Sequence, residues 1–229
     1  MYVLIPINIT MIISHKYKFI FVKTRKTAGS SIEKYLVDYY LGPDDICTGS
    51  KHDGTPLLNN ENLNGHLVEL PANNGHLGWQ WIKENYTNEW DQYYKFAVDR
   101  NPWDKMVSTY YWWIHSKPHI LFKQLGSSKA VEVSKGFEHR IMNSKLDLWD
   151  DWPAYSDSNG PVVDQMLTYE NLHEKFLDLP IPYNNELQTT FVKSGLRPNQ
   201  PYQNLYTEEM QQRVRDNFSQ MIDYFQFEF

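Results

Sequence analysis

What most limits the folds open to this chain is a pattern it runs through twice: a short apolar, aromatic run, a polar turn, then an amphipathic stretch. In the first copy KFIFVK (Lys18–Lys23) leads through Thr24–Gly29 into a stretch from Ser30 to about Leu41. In the second, Tyr94–Val98 leads through Asp99–Pro102 into a stretch ending near His115. Short apolar runs bounded by turns read as buried strands, and apolar residues at helical spacing read as helices. In the first helix Ile32, Tyr35, Leu36 and Tyr39 share a face, Ser30 and Glu33 stand at capping-box spacing, and Gly42-Pro43 ends it. In the second, Pro102 falls in the first turn, where a missing N–H costs nothing. Gln165–Tyr169 supplies a third strand, with a short helix from Asn171. From Thr207, TEEMQQRVRDNFSQMIDYF reads as one long helix with Glu in its first turn. Strands alternating with helices predict an α/β fold, a single domain over residues 1–229 with a central, mainly parallel sheet flanked by helices.

The connecting stretches are less regular. Residues 43–75, rich in Asn, Gly and Pro, read as long loops with short elements. Trp79–Tyr86 reads as a helix, and residues 116–160 as a variable middle ending in the turn-rich SDSNGP. The opening MYVLIPINITMII has no basic region and no small-residue cleavage site, and Pro6 and Asn8 interrupt it. It is too short to span a bilayer, so no membrane span is expected. Residues 1–16 read as an edge strand or a disordered leader, with Met11 an alternative start. Without an export signal, the expected location is cytoplasmic.

Composition narrows the function. Hydrophobic residues at 41% suffice for a sizeable core, and the 15% aromatic content, with eight Trp, can serve both cores and ligand platforms. A net charge of −6 gives no global basic field for nucleic acid or an anionic membrane, so a polyanion would need a local basic groove. The single Cys47 excludes an intrachain disulfide and a cysteine-based zinc site. It stands in the loop-like GPDDICTGS, where acidic neighbours oppose a thiolate. His15, His52, His115, His119, His139 and His173 show no metal-ligand spacing, so no metal is expected.

Both turns carry the residues an anion calls for. A helix N-terminus presents unsatisfied N–H groups and the positive end of its dipole. In FVKTRKTAGSSIEKYL, Ala28 and Gly29 let the backbone come close, Ser30 and Ser31 add hydroxyls, and Lys26 adds a charge. The alternative is a surface turn with two solvated lysines before an ordinary capped helix. In VDRNPWDKMVSTYYWW, Arg100 offers a bidentate fork and Ser108 lies about two helical turns on. The alternative there is Arg100 paired with Asp99 or Asp104. A kinase is disfavoured, because G-x-x-x-x-G-K-[ST] and a clear Mg²⁺-binding acid are both missing.

Together KTAGSSI and RNPWDKMVSTY resemble the 5′-phosphosulfate loop and the 3′-phosphate motif of the sulfotransferases, nearest to the carbohydrate-type branch with its bacterial and viral relatives. TYENL (Thr168–Leu172) and the ending DYFQF add weaker likeness, and about half the chain is covered in separated blocks. The resemblance implies a P-loop-like sulfotransferase fold and sulfuryl transfer from 3′-phosphoadenosine 5′-phosphosulfate (PAPS) to a hydroxyl or amine. The product nucleotide is PAP, and the acceptor partner is a glycan. By position, Lys26 meets the bridging oxygen and 5′-phosphate. The amides of Thr27, Ala28, Gly29, Ser30 and Ser31, with the two serine hydroxyls, hold the phosphosulfate, while Arg100 and Ser108 hold the 3′-phosphate. Arg25 departs from the Pro of many relatives; it alters loop rigidity and adds a donor near the sulfate. Ile32 stands where cytosolic small-molecule enzymes place a Trp, so adenine stacking is unassigned.

Transfer needs a general base, for which His is suited near neutral pH. In relatives the base His often opens the helix before the Arg strand; His76 fits that place, with His66, Glu69 and Glu84 as alternatives. Tyr110-Tyr111-Trp112-Trp113 divides between core, for at least two of the four, and a sugar platform, with Trp149 and Trp152 as further platform candidates. Lys193 and Arg197 are either a basic lid or a solvated loop. A non-catalytic nucleotide- or glycan-binding protein on the same scaffold is the reading from another class. Oligomeric state is not encoded in any of these motifs.

Overall fold

In a computed structural model, residues 11–47, 78–116, 133–188 and 195–229 are described. The chain runs β1 (Met11–Ser14), β2 (Phe19–Val22), α1 (Gly29–Tyr39), β3 (Ile46–Cys47), α2 (Trp79–Asn85), α3 (Thr87–Gln92) and β4 (Tyr94–Asp99). It continues through α4 (Pro102–Ser116), α5 (Val133–Asn143), α6 (Trp152–Tyr155), β5 (Ser156–Asp157), β6 (Gly160–Pro161), β7 (Gln165–Thr168), α7 (Leu172–Phe176), α8 (Glu208–Asn217) and α9 (Ser219–Phe225). The chain divides into two compact units, Met1–Asp99 with Asp151–Val192 and Arg100–Asp150 with Lys193–Phe229. Among the described residues, no helix is long and apolar enough to cross a membrane.

The first unit is α/β. Its five-stranded sheet has the order β3-β1-β2-β4-β7. β2, β4 and β7 pair in parallel, with Val22 opposite Ala97 and Ala97 opposite Met166, while β1 is antiparallel to both β2 and β3. The sheet is therefore mixed but mostly parallel in direction, since β1 alone runs against the rest. All four residues of β2 are buried, as expected of a strand covered on both faces. On one face Phe19, Phe21, Phe96 and Val98 pack with Ile32, Tyr35 and Leu36 of α1 and with Leu172 and Phe176 of α7. Phe21 stacks on Phe96 with centroids 4.9 Å apart.

The sheet corrects several sequence expectations. Within the segment read as an edge strand or leader, Met11–Ser14 form an interior strand, buried and paired on both sides, while residues 1–10 lie outside the described residues. Cys47 lies in β3 rather than in a loop, and it is buried. One carboxylate, Asp45, ties this corner together, accepting from the His15 amide (2.6 Å), the Gly42 amide (2.9 Å) and Ser14 Oγ (3.2 Å). SDSNGP becomes a two-stranded hairpin, with Ser156 opposite Pro161.

Among the described residues, the second unit is helical, with α4, α5, α8 and α9. Asn101 opens α4: its Oδ1 accepts from the Trp103 amide at 3.1 Å, and its Nδ2 donates to the Glu228 carbonyl at 2.7 Å. Trp103 is buried, its indole donating to the Gln211 carbonyl (3.1 Å) and its ring set edge-on to Phe229. The long C-terminal helix is two helices, because Phe218 leaves helical geometry at φ −122°, ψ 25°. Of the aromatic run in α4, Tyr110, Tyr111 and Trp113 are buried and Trp112 is half-buried, so core accounts for most of it.

Candidate functional site

The turn between β2 and α1 has an unusual backbone. Lys26 and Ala28 both have φ of 62°, in the left-handed region, while Thr27 between them does not, and Gly29 begins the helix. A non-glycine residue in that region costs on the order of 1–2 kcal/mol. Alternating handedness turns successive N–H groups toward one concavity, a nest that binds anions. The helix behind it has no side-chain cap: Ala28 is its N-cap, and its carbonyl accepts from the amides of Ser31 (2.8 Å) and Ile32 (3.1 Å). The predicted capping box therefore does not form. Ser30 lies inside the first turn, and Glu33 is buried in an ion pair with Lys23. That pairing also removes Glu33 from competition with an incoming anion. The first-turn amides of Gly29 and Ser30 have no intrahelical acceptor.

The rest of the turn is braced from inside. Thr24 Oγ1 donates to the Val98 carbonyl of β4. The Thr27 hydroxyl lies 2.8 Å from Thr24 Oγ1 and 3.2 Å from the Thr24 carbonyl, and both threonines are buried. Arg25 is gripped at two points by buried Asp151, which accepts from the Arg25 amide (2.8 Å) and from Nε (2.6 Å). This contact rigidifies the loop at the position where Pro was the expected alternative. Lys26, Ala28, Ser30 and Ser31 are all half-buried at the rim of the turn.

In the second unit Arg100 and Asp104 are both buried, and Arg100 Nε donates to Asp104 Oδ2 at 2.7 Å. Arg197 pairs with the other oxygen of the same carboxylate. Two guanidinium groups thus share one carboxylate. Ser108, half-buried, sits one helical turn beyond Asp104 on the same face of α4. Tyr111 is hydrogen-bonded to Gln200, and its hydroxyl is pushed up by burial against the opposing pull of that bond and of Arg197. Because Asn101 takes the first amide of α4, an anion here would be held by side chains rather than by a helix N-terminus.

Of the sequence-derived candidates, Arg25, Lys26, Thr27, Ala28, Gly29, Ser30 and Ser31 lie together in one turn of the first unit. Arg100, Ser108 and Arg197 lie in the second unit. His76, His66, Glu69 and Lys193 lie outside the described residues, and Glu84 is exposed on α2. Trp152 is buried and Trp149 is stacked near Arg140, 5.6 Å from its guanidinium. Sequence reasoning missed Asp151. Its signal was an Asp immediately before Trp-Pro, a helix-opening arrangement inside a stretch read as variable. No group of three or more His, Cys, Asp or Glu suited to a metal occurs among the described residues. Compared with known proteins, the chain matches no family model, no curated protein and no solved structure.

Proposed function

We propose that the chain is a sulfotransferase that moves a sulfuryl group from PAPS to a hydroxyl or amine, with a carbohydrate as the acceptor class its motifs resemble. The observation that supports this reading best is the loop between β2 and α1, where left-handed Lys26 and Ala28 flank Thr27 ahead of an uncapped helix. Backbone strain of this kind persists where the surroundings impose it, and it clusters at ligand clamps. The chemistry asks for such a clamp. The acceptor oxygen or nitrogen attacks sulfur, the bond from sulfur to the bridging oxygen of the 5′-phosphate breaks, and PAP leaves with the extra negative charge. The acceptor's proton passes to a general base, for which His76 is our candidate. Lys26 would neutralise the charge on the leaving phosphate, with nest amides beside it. Arg100 and Ser108 suit a 3′-phosphate, a group that ATP lacks.

The test is transfer of labelled sulfate from PAPS to a panel of glycans, lipids and small alcohols, alongside calorimetric titration with PAP. PAP should bind, and ATP with Mg²⁺ should not displace it. Lys26→Ala should remove turnover, and Arg100→Ala should weaken PAP binding by about tenfold or more, as expected for a lost charge-assisted contact. If PAP does not bind and PAPS is neither transferred nor hydrolysed, the reading fails.

A further inference from the structure

A single short segment, Asp151–Ser156, touches three places in the first unit. Asp151, at the start of α6, holds Arg25 by both its amide (2.8 Å) and its Nε (2.6 Å). One helical turn later, Tyr155 donates its hydroxyl to Asp99 Oδ2 at 2.6 Å. Asp99 is the last residue of β4 and immediately precedes Arg100, and both Asp99 and Tyr155 are buried. The carbonyl of Ser156 accepts from the Trp79 indole at 2.9 Å. At Gly78, a Cβ would stand 3.2 Å from Ala154 Cα and 3.3 Å from the Pro153 carbonyl, so the start of α2 lies close against the same turn. None of these contacts is needed to build the sheet core, whose apolar cluster includes no residue of α6.

We propose that Asp151 is a positioning residue that sets the β2–α1 loop, while Tyr155 anchors the far end of α6 on Asp99. The physical reason lies in the loop itself. Two left-handed residues store strain that the loop would release by relaxing, and the two-point grip on Arg25, adjacent to Lys26, opposes that relaxation. Both carboxylates are buried and accept hydrogen bonds, so each fixes its partner more firmly than a solvated contact would. For the ligands it names, this inference rests on the sulfotransferase reading.

The experiment compares Asp151→Asn and Tyr155→Phe with the wild-type chain by calorimetric titration with adenosine 5′-phosphate, adenosine 3′-phosphate and PAP. Asp151→Asn should weaken adenosine 5′-phosphate and PAP about tenfold and leave adenosine 3′-phosphate unchanged. Tyr155→Phe should leave adenosine 5′-phosphate binding unchanged, since the grip on Arg25 is made by Asp151. General destabilisation cannot weaken one ligand and spare the other, and equal losses for both ligands in Asp151→Asn, or none, would overturn the proposal. If the wild-type chain binds none of the three, the sulfotransferase reading fails, and hydrogen exchange then judges the brace alone. Asp151→Asn should speed exchange of the Arg25 amide about tenfold, and Tyr155→Phe should leave it protected. Unchanged exchange in Asp151→Asn would overturn the positioning role as well.

Discussion

Lys23 shows how one side chain sets the geometry of a neighbour. Its stem crosses directly over Gly29, where a Cβ would stand 2.7 Å from Lys23 Cγ and 3.0 Å from Cε. The glycine is thus required for a close approach by lysine, since its own φ is not left-handed. The crossing carries the ammonium to Glu33, whose side chain is 4% exposed against 16% for Lys23. Removing one partner of a fully buried pair costs about 3–5 kcal/mol. Lys23 keeps some water, so Lys23→Ala should cost less, about 2 kcal/mol, read from the midpoint of urea unfolding. Lys23→Ala combined with Glu33→Gln should recover part of the loss, because no unpaired carboxylate is then left buried. A double variant no more stable than Lys23→Ala alone would show that packing of the stem over Gly29, rather than the ion pair, carries the effect.

Elements differ in how plainly their residues announce them. β2, β4, β7, α1, α2 and α4 are legible because local pattern and tertiary burial agree: apolar runs bounded by turns, and Pro102 in the first turn of α4. The mistakes fall where long-range pairing decides. Met11–Ser14 read as part of an edge strand or leader, yet β2 and β3 pair with it on both sides, and no local signal in MIIS reports that pairing. The capping box at Ser30 and Glu33 fails because Lys23, ten residues earlier in the chain, captures the glutamate. The anion-binding character of the turn was legible from its residue types, while its handedness and its anchor on Asp151 depend on a partner 126 residues away. Where a cap does form, the effect is local. Thr207 Oγ1 accepts from the Met210 amide at 3.3 Å at the start of α8, and Glu208 and Glu209 follow in the first turn. Thr207→Ala should therefore cost about 1 kcal/mol in urea unfolding, and Thr207→Ser should be close to neutral. A loss of the same size in Thr207→Ser would assign the effect to the threonine methyl instead.

At the scale of the whole molecule, tyrosines buried in both units predict how the fold meets alkali. In the first unit Tyr35 is a hub: its hydroxyl accepts from the Asn184 amide (2.8 Å), and its ring meets Tyr40, Phe176 and Tyr183. Burial, and then its bond to Tyr40, holds that hydroxyl well above its ordinary range. In the second unit burial pushes Tyr110 up to about 12 and raises Tyr206 well above its usual value, with Asp104 adding to the latter. A group whose folded pKa is raised contributes stability that is complete below its unfolded value and is lost as pH climbs toward the folded one. Arg140 acts in the opposite sense, because burial between Trp113 and Trp149 lowers it to about 10, and losing its proton relieves a desolvation cost. Among the described residues these tyrosines, with Tyr86, Tyr94 and Tyr111 raised in the same sense, outweigh one lowered arginine, so the net slope is negative. Stability should fall between about pH 10 and 12, with both units affected in the same window. Urea midpoints across that range would measure the fall, and tyrosinate absorbance would report ionisation together with unfolding. Tyr110→Phe should make the slope shallower and Arg140→Met should make it steeper. A slope above pH 10 that neither variant changes would show that ionisation elsewhere governs the alkaline limit.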